Sequence, residues 1–410
     1  MPRCFHLMPR LRPSGALLVL FAVLFAGSLR AQTIPPEGTP STLDVATWNI
    51  EWFGDPQNGP SDDQRQFDNV RAVIEQADID LWALQEVADE NDFNALLDAL
   101  GGAYAGTLAT NSVQQRIGFV YKTDIIRPRT IKHILESFAS DFASRPPLQM
   151  EADVTLGDTT LVVTFIVVHM KAFSDTDSYN KRLAASGRLK NHIDFTSLNS
   201  APVIVLGDFN DELLNSITPG RPSPYENFVQ DTDDYFFPTL ELDQAGKATF
   251  CGSSSSCSSG STIDHILITD ELLPHYVTGS VDRYEALLTA LSAYVFTTSD
   301  HLPVFARFDL GRPVASEEAP EGPAGLTLEV PFPNPVPERG TVAFTLPHAM
   351  PVRLVVYDVL GREVARPLDT LLPAGSHHAA LDAGPWAPGL YLVRLQTPSG
   401  SIARPFLHRR

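Results

Sequence analysis

The sequence predicts an α/β protein in which two β-sheets pack face to face with helices outside, followed by a small all-β unit. Three observations support this fold class. Apolar segments of strand length recur through residues 43–310, and only a few segments of helical period separate them. Short alternating strands with Gly-containing turns fill residues 329–410, a pattern typical of a β-sandwich. Many strands with few helices fit two packed sheets covered by helices.

The composition argues against a protein that binds nucleic acid through a broad basic face. The chain has 410 residues, 43% hydrophobic and 19% charged, which is enough for two domains with a sizeable core. Its net charge of −19 argues against polyanion binding through a basic face, because such binding needs Lys and Arg to neutralise phosphates. It does not exclude contact with a phosphodiester through a bound cation.

The N-terminal residues 1–31 have the pattern of a secretory signal peptide. A basic stretch containing Arg3 and Arg12 precedes the uncharged segment ALLVLFAVLFAG, and Ala31 offers a cleavage site. An apolar segment of about a dozen residues is too short to span a bilayer, and an uncleaved anchor is the alternative. A Pro-rich lead-in follows at residues 32–42.

Two cysteines remain after the signal, because Cys4 leaves with it. They are Cys251 and Cys257, in the stretch FCGSSSSCSSGS. An exported chain meets oxidising conditions, so we predict a small loop disulfide, with two free thiols as the alternative. The absence of a nearby His in the sequence argues against a zinc site.

The elements of residues 43–310 follow from periodicity. The segment Asp68–Asp78 places Val70, Val73 and Ile74 on one face, which predicts an amphipathic helix. Strands are predicted, in chain order, for LDVATWNIEWF, DLWALQEV, RIGFVYK, MEADVTL, TLVVTFIVVHM, APVIVLGDF, STIDHILIT and DHLPVFARF.

Six of these strands carry an acid, an amide or an imidazole at one end. These residues are Asn49, Glu51, Glu86, His169, Asp208, Asn210, Asp264, Asp300 and His301. A single strand-end Asp usually forms a turn or a helix cap. Six such ends indicate a site, because strand ends from both sheets of a sandwich meet along one rim. Carboxylates and Asn carbonyls are ligands that Mg²⁺ or Mn²⁺ prefers, and imidazoles can donate to a phosphate.

The motifs WNIEW, LQEV, VHMK, GDFND, IDHILI and SDHLPV occur in this order across residues 43–310. Together they resemble the endonuclease/exonuclease/phosphatase superfamily, whose fold is DNase-I-like. The resemblance covers nearly all of this domain. It implies a four-layered sandwich of two packed β-sheets flanked by helices, and metal-dependent cleavage of phosphate esters.

The resemblance also implies a set of metal ligands. Glu86 resembles the main ligand, and Asn49 the amide that supports the metal or the phosphate. Asp300 resembles an acid beside the metal. Glu51 matches the Asn-x-acid pattern of the abasic-site nuclease branch, and this resemblance implies a contact to a metal-bound water. The implied cofactor is Mg²⁺, with Mn²⁺ or Ca²⁺ as alternatives.

Catalytic roles follow from the same resemblance. Asp208 and Asn210 resemble the pair that orients the attacking water and the phosphoryl oxygens. His301 resembles the general base or a phosphate contact, and Asp264 the carboxylate that fixes its tautomer. His169 resembles the imidazole that stabilises or protonates the leaving group. Which histidine is the acid and which the base stays open.

Two arginines are candidates for substrate binding. Arg182 lies on a predicted helix after the His169 strand, where it either reaches phosphate as a bidentate donor or sits on a solvated helix face. Arg116 follows Gln115, in the place where the family often has a glutamate that pairs with the first histidine. A glutamine can orient that imidazole but supports its cation less well.

A Pro/Gly/Glu-rich linker at residues 311–328 leads to the C-terminal unit, residues 329–410. Its segments PFPNPV, VRLVVYDVLGREV, LPAGSHH and APGLYLVRL resemble the type A sorting domain of type IX secretion cargo. This implies recognition by an outer-membrane secretion machine, then release or attachment at the cell surface. A plain accessory β-sandwich is the alternative.

The favoured hypothesis is an exported, monomeric, metal-dependent nuclease that hydrolyses extracellular DNA or RNA. One alternative keeps the fold and changes the substrate, giving a phosphatase or a phospholipid or sphingomyelin-type phosphodiesterase. Another is a surface binding module with an inactive site. The complete set of site residues argues against the inactive module.

Overall fold

The computed structural model describes residues 1, 33–110, 114–311, 326–358, 362–398 and 400–409. The predicted signal peptide and Cys4 lie outside the described residues, as does most of the predicted linker. No helix in the described parts of the chain is long and apolar enough to cross a membrane.

The region before the linker contains twelve strands within its described residues. They are β1 Leu43–Phe53, β2 Leu81–Val87, β3 Tyr104–Leu108, β4 Arg116–Lys122, β5 Ile126–His133, β6 Leu148–Leu156, β7 Thr159–His169, β8 Val203–Asp208, β9 Tyr235–Phe236, β10 Asp264–Thr269, β11 Asp282–Arg283 and β12 Val304–Phe308. The helices are α1 Asp63–Ala77, α2 Glu90–Leu100, α3 Thr176–Asp194, α4 Glu226–Val229, α5 Leu240–Gln244, α6 Leu287–Ala290 and α7 Tyr294–Thr297. The predicted helix is α1, which begins five residues earlier than expected because Asp62 caps it.

These strands form two six-stranded mixed sheets, in the orders β11-β12-β1-β2-β4-β3 and β5-β6-β7-β8-β10-β9. Each sheet has one parallel pair at its centre, β1 with β2 and β7 with β8. The strands beside these pairs, β12 and β10, run antiparallel to them. The carboxyl ends of the parallel pairs and the starts of β12 and β10 therefore lie at one edge of each sheet.

Three apolar layers hold the sandwich together. Alternate residues of β1 point to opposite faces, so Val45 packs between the sheets whereas Trp48 packs under α1 and α2. On the other side, Val205 of β8 packs against α3. Strands buried on both faces read as nearly continuous apolar runs, as observed here. The predicted four-layered sandwich is confirmed.

Both sheets of the C-terminal region are antiparallel. Its strands are β13 Thr327–Leu328, β14 Arg339–Leu346, β15 Met350–Asp358, β16 Glu363–Leu372, β17 Gly375–Asp382, β18 Gly389–Thr397 and β19 Gly400–His408. They form a three-stranded sheet, β13-β14-β17, and a four-stranded sheet, β16-β15-β18-β19. Phe344 and Val393 belong to their shared apolar core. The predicted small all-β sandwich is confirmed.

Candidate active site

The two sheets bring the polar strand ends to one rim. In the second sheet, Asp208 at the end of β8 is the register partner of both His169, at the end of β7, and Asp264, at the start of β10. In the first sheet, Asn49 and Glu86 lie at the ends of β1 and β2, which pair in parallel. The order of strands alone therefore places residues distant in sequence beside one another.

Irregularities in strand pairing set the orientation of two acidic side chains, Glu51 and Glu86. The register of β1 with β2 shifts between Asn49 and Phe53, and that of β2 with β4 shifts between Leu84 and Val87. Glu51 and Glu86 lie within these shifts, with φ angles of 44° and 62°. Bulges re-aim side chains, and left-handed backbone in non-glycine residues is retained where the surroundings enforce it.

The rim opens into a cleft of about 630 Å³. Its walls combine the polar strand ends with aromatic and aliphatic side chains. The polar strand-end residues in the lining are Glu51, Glu86, His169, Asp208, Asn210, Asp300 and His301. Trp52, Phe173, Phe250 and Ile263 supply apolar lining.

Asp208 is at the centre of the site and is almost fully buried. Its Oδ2 accepts a hydrogen bond from Asn49 Nδ2 at 3.1 Å, and its Oδ1 accepts one from the Asn210 backbone N–H at 2.8 Å. Burial, reinforced by the nearby carboxylate of Asp264, raises the pKa of Asp208 to about 7. The carboxyl group is therefore held rigidly and close to the protonation balance that general base catalysis needs.

His301 and Asp264 form a buried acid–imidazole pair. The distance from His301 Nδ1 to Asp264 Oδ2 is 2.8 Å, and His301 Nε2 lies 4.0 Å from Asp208 Oδ2. Burial alone would lower the pKa of His301, but the carboxylates of Asp264, Asp208 and Asp300 outweigh it and raise the pKa well above its usual value. His301 is thus a cation that can donate a hydrogen bond into the cleft.

The second histidine at the rim, His169, has a pKa shifted in the opposite direction. Its Nε2 lies 3.7 Å from Glu86 Oε1 and 3.6 Å from Asp208 Oδ2. Its Nδ1 is buried without a hydrogen-bond partner among the described residues. Burial, with added repulsion from Arg145 and His301, lowers the pKa of His169 well below its usual value. The imidazole is therefore neutral.

Three further carboxyl groups converge on the cleft. Glu51 Oε2 accepts from the Asp300 backbone N–H at 2.9 Å, and Glu86 Oε2 accepts from the Trp52 backbone N–H at 3.2 Å. Burial and the nearby Asp300 raise the pKa of Glu51 to about 8. Burial also raises the pKa values of Glu86 and Asp300. Partly desolvated carboxylates that repel one another form a donor set that a divalent cation would stabilise.

Two groups of side chains, with no residue in common, are candidates to hold such a cation. Asp208, Asp264 and His301 each offer a ligand atom within 4.8 Å of the others. A metal-binding imidazole must be deprotonated, however, and His301 is already bonded to Asp264 and carries a raised pKa. The acidic group of Glu51, Glu86 and Asp300 therefore fits a hard cation better.

Comparison with known sequences identifies both regions of the chain. The profile of the endonuclease/exonuclease/phosphatase family matches residues 46–301, which is more than half of the chain. The chain belongs to this family. The profile of the secretion system C-terminal sorting domain matches residues 331–407. Both resemblances drawn from the sequence are confirmed.

Solved structures of the endonuclease/exonuclease/phosphatase fold are similar at low identity. One from Beutenbergia cavernae is 15% identical with a TM-score of 0.47, covering 90% of this chain and 100% of that chain. The human Nocturnin catalytic domain with bound sulfate is 17% identical with a TM-score of 0.44, covering 67% and 98%. A mannosyl-6-phosphatase from Bacteroides thetaiotaomicron is 15% identical with a TM-score of 0.43, covering 64% and 98%. No curated protein matches the chain significantly.

The structure does not support the predicted phosphate contact of Arg182. This side chain is fully buried, and its Nε donates to Asp211 Oδ2 at 2.8 Å. Its Nη1 donates to the carbonyls of Lys171 and Phe173 at 2.7 Å each, and its Nη2 donates to Thr218 Oγ1 at 3.1 Å. A guanidinium engaged in this way is not available to substrate, and it is not on a solvated helix face either. It fixes the loop between β7 and α3.

Arg116 and Gln115 also have partners other than those expected. Arg116 Nη1 donates to the carbonyl of Ala88 at 2.9 Å, and Arg116 is not among the cleft-lining residues. Gln115 Oε1 accepts from Arg145 Nη1 at 2.9 Å rather than from His169. The substrate role of Arg116 therefore stays a prediction without support from its contacts.

Two residues of this family member's site were missed by the sequence analysis. Ser299 Oγ donates to the Asn49 carbonyl at 2.6 Å and accepts from the His301 backbone N–H at 3.0 Å, so it joins β1 to the segment that carries His301. Arg145 Nη2 donates to the Met170 carbonyl at 3.1 Å, beside His169. Ser299 adjoins a recognised motif and could have been found, whereas Arg145 lies in a loop with no periodic signal.

Cys251 and Cys257 form a disulfide, with an Sγ–Sγ distance of 2.08 Å. The loop that it closes contacts the site directly. The Cys251 backbone N–H donates to the Asp300 carbonyl at 2.7 Å, and the Phe250 ring lies 5.0 Å from the His301 ring. The disulfide therefore supports the backbone that holds Asp300 and His301.

We expect the Cys251→Ser/Cys257→Ser variant to lose about 2 kcal/mol of unfolding free energy, because the cross-link restricts the unfolded chain. Urea unfolding with and without a thiol reductant measures this. Reductant should lower the stability of the wild type and leave the variant unchanged. Equal stability of oxidised wild type and variant would contradict the expected role.

Proposed function

We propose that the chain is an exported, divalent-metal-dependent phosphodiesterase whose substrate is nucleic acid. The observation that supports this proposal is the convergence of carboxyl groups and imidazoles at the rim. Four carboxyl groups with raised pKa values stand beside one cationic and one neutral imidazole in a single cleft. Phosphodiester hydrolysis requires neutralised phosphoryl oxygens, an activated water and a stabilised leaving oxygen, and this set can supply all three.

The proposed cation is Mg²⁺, with Mn²⁺ or Ca²⁺ as alternatives. Glu51, Glu86 and Asp300 are the proposed ligands, with the amide of Asn49 beside them. When bound, the cation would neutralise charge on the phosphate oxygens. The same cation would relieve the repulsion among these buried carboxylates, which is why it fits this donor set.

Asp208 and Asn210 are the proposed water-activating pair. Asp208 has a pKa near 7 and two hydrogen bonds that fix its orientation, so it can accept a proton from a water held between it and the phosphorus. The Asn210 amide, which donates to the Met170 carbonyl at 3.2 Å, would orient the phosphoryl oxygens from the same edge.

The two histidines take different roles in this proposal. His301, kept protonated by Asp264, would donate Nε2–H to a non-bridging phosphate oxygen and stabilise its growing negative charge. His169 is neutral and faces Glu86 and Asp208, so its Nε2–H would donate a hydrogen bond to the leaving oxygen without transferring the proton. In this proposal, His301 is the phosphate contact rather than the base.

A panel of substrates tests the assignment to nucleic acid. The purified full chain would be assayed with Mg²⁺ on a single-stranded oligonucleotide, sphingomyelin vesicles and a sugar phosphate, each with a chelator control. We expect the oligonucleotide to be hydrolysed fastest and all turnover to stop with chelator. Faster turnover of the lipid or the sugar phosphate would move the assignment to the alternative substrate classes.

Cation binding should be coupled to pH. Because Asp208 and Glu51 have native pKa values of about 7 and 8, the metal-free native state holds more protons than the unfolded chain between about pH 5 and 8. Their contribution to stability therefore falls as pH rises through this window. A bound cation reverses this effect by replacing the protons.

We expect the rise in melting temperature caused by Mg²⁺ to grow from pH 6 to pH 8. Scanning calorimetry at three pH values measures it, and Glu51→Gln should reduce the pH dependence. A Mg²⁺-induced shift that is equal at all three pH values would argue against a site built from these carboxyl groups.

The C-terminal sorting domain supports secretion by the type IX machinery to the cell surface or the extracellular space. We propose that residues 1–31 are removed as a signal peptide, that residues 43–310 form the catalytic domain, and that residues 329–410 form the sorting domain after the linker at 311–328. A disulfide beside the site is consistent with this oxidising destination.

A further inference from the structure

Phe173 is a large apolar side chain exposed at the rim of the cleft. It is 69% exposed and lines the cleft together with Trp52 and Phe250. Its neighbours Ser174 and Asp175 are polar and exposed. A single exposed aromatic side chain is common on protein surfaces. Its position at the cleft, its backbone and its anchorage set this one apart.

The backbone of Phe173 is in an unfavourable conformation. Its φ angle is +81°, in the left-handed region that residues with a β-carbon rarely adopt. Such conformations persist only where the surrounding structure enforces them, and they concentrate at ligand sites.

The enforcing contact is the buried Arg182. Its Nη1 donates to the carbonyl oxygens of both Lys171 and Phe173 at 2.7 Å, while Asp211 neutralises its charge. This ion pair is fully buried, with both side chains 0% exposed. Burying an ion pair is costly, and here it holds one loop conformation in which the Phe173 ring lines the cleft.

A cation accompanies the ring. Lys171 Nζ lies 4.4 Å from the ring centroid of Phe173. The ammonium covers one face of the ring and leaves the remaining surface for a planar group from the cleft. An aromatic face beside an ammonium group matches a nucleotide, which presents a base and a phosphate a short distance apart.

We propose that Phe173 is a stacking platform for the nucleobase next to the scissile phosphate, so that the substrate class is a single-stranded, base-bearing phosphodiester. This proposal rests on the proposed nuclease function. Bases in a duplex are already stacked on their neighbours, whereas an unpaired base can stack on an aromatic side chain. Lys171 would contact the adjacent phosphate.

The chemistry of the loop favours a base over a lipid surface. Stable attachment to a membrane takes several apolar side chains or a basic patch. Phe173 is followed by the polar, exposed Ser174 and Asp175, and the whole chain has a net charge of −19. Stacking needs only one ring and is not prevented by the acidic balance elsewhere.

The test compares two single-stranded oligonucleotides that differ only in whether the nucleotides flanking the cleaved bond carry bases or are abasic. With the full chain and Mg²⁺, we expect kcat/KM to be about tenfold higher for the base-bearing strand, from one stacking contact. Phe173→Ala should bring the ratio of the two kcat/KM values close to one, whereas Phe173→Trp should keep the wild-type preference for the base-bearing strand. Phe195→Ala, which alters another Phe with 81% exposure, should also keep that preference.

Phe173→Gly provides a second readout. Glycine accepts a φ of +81°, so we expect the melting temperature of this variant to be no lower than that of the wild type. The preference for the base-bearing strand should nevertheless be lost. A ring that served only packing would instead leave the preference intact.

Three results would overturn the platform. One is a wild-type ratio near one on strands that are both cut, which leaves the nuclease function standing. Another is a preference that survives in Phe173→Ala. The third is binding to sphingomyelin vesicles by the wild type that Phe173→Ala abolishes, which would mark the ring as a lipid contact. If neither strand is cut, the nuclease function fails as well.

Discussion

Asp208→Asn is expected to lower kcat by roughly 10²- to 10⁴-fold, the usual contribution of a positioned general base. The carboxylate is the acceptor that faces both imidazoles, at 3.6 Å from His169 and 4.0 Å from His301. The amide in its place has nearly the same shape but cannot accept a proton from water. Initial rates at saturating Mg²⁺ and substrate measure the loss.

The variant should remain folded, because replacing a buried carboxylate whose pKa is raised removes an unfavourable charge. Asp177→Asn, on the exposed first turn of α3, is the matched control and should keep full activity. If Asp208→Asn retains more than about a tenth of wild-type kcat, Asp208 is not the base, given the size of such effects.

Arg182→Met is expected to destabilise the protein by about 3–5 kcal/mol, because it leaves Asp211 as a buried charge without its cation. The carbonyls of Lys171 and Phe173 lose their donor in the same change, so the loop that lines the cleft should loosen. Urea unfolding monitored by fluorescence gives the free energy of unfolding.

Lys181→Met is the matched control. Lys181 is the neighbouring cation on α3, and its ion pair with Asp177 at 3.2 Å is exposed. Such a pair contributes less than about 1 kcal/mol. If both variants lost the same small amount, the buried pair would not be the structural anchor inferred from its contacts.

Much of the sandwich could be predicted because its central strands carry a strong signal. The runs ending at His169 and Asp208 are apolar on both faces, since each lies between a second sheet and a helix. The edge strands β3 and β5 were missed. Residues of β5 are mostly exposed and include Pro128, which is tolerated at a sheet edge and hides the strand pattern.

The candidate site was predictable to the extent that its residues end recognisable strands. Parallel and antiparallel pairing then brings Asp208, Asp264 and His169 into register, which no local pattern reveals. Arg182 shows the limit of sequence reasoning. In a sequence, a charged residue on a helix is expected to face solvent or substrate. Only the packing of α3 against the rest of the chain shows that Arg182 is buried.

The protonation states of the two site histidines could not be predicted from residue type either. His301 and His169 are the same residue type at the same rim, yet burial lowers the pKa of one, and surrounding carboxylates raise that of the other despite burial. These shifts depend on distances set by tertiary structure. They decide which histidine can contact the phosphate as a cation.

The most direct test of the metal-dependent phosphodiesterase site is cleavage of circular single-stranded DNA by the purified full chain, with Mg²⁺ or with chelator. We predict conversion of the circle to linear fragments with Mg²⁺, none with chelator, and almost none for Asp208→Asn with Mg²⁺. Cleavage that persists in chelator, or in Asp208→Asn at the wild-type rate, would contradict the proposed site. A folded wild-type protein that leaves both the circle and a linear single-stranded oligonucleotide intact with Mg²⁺ would contradict the nuclease function.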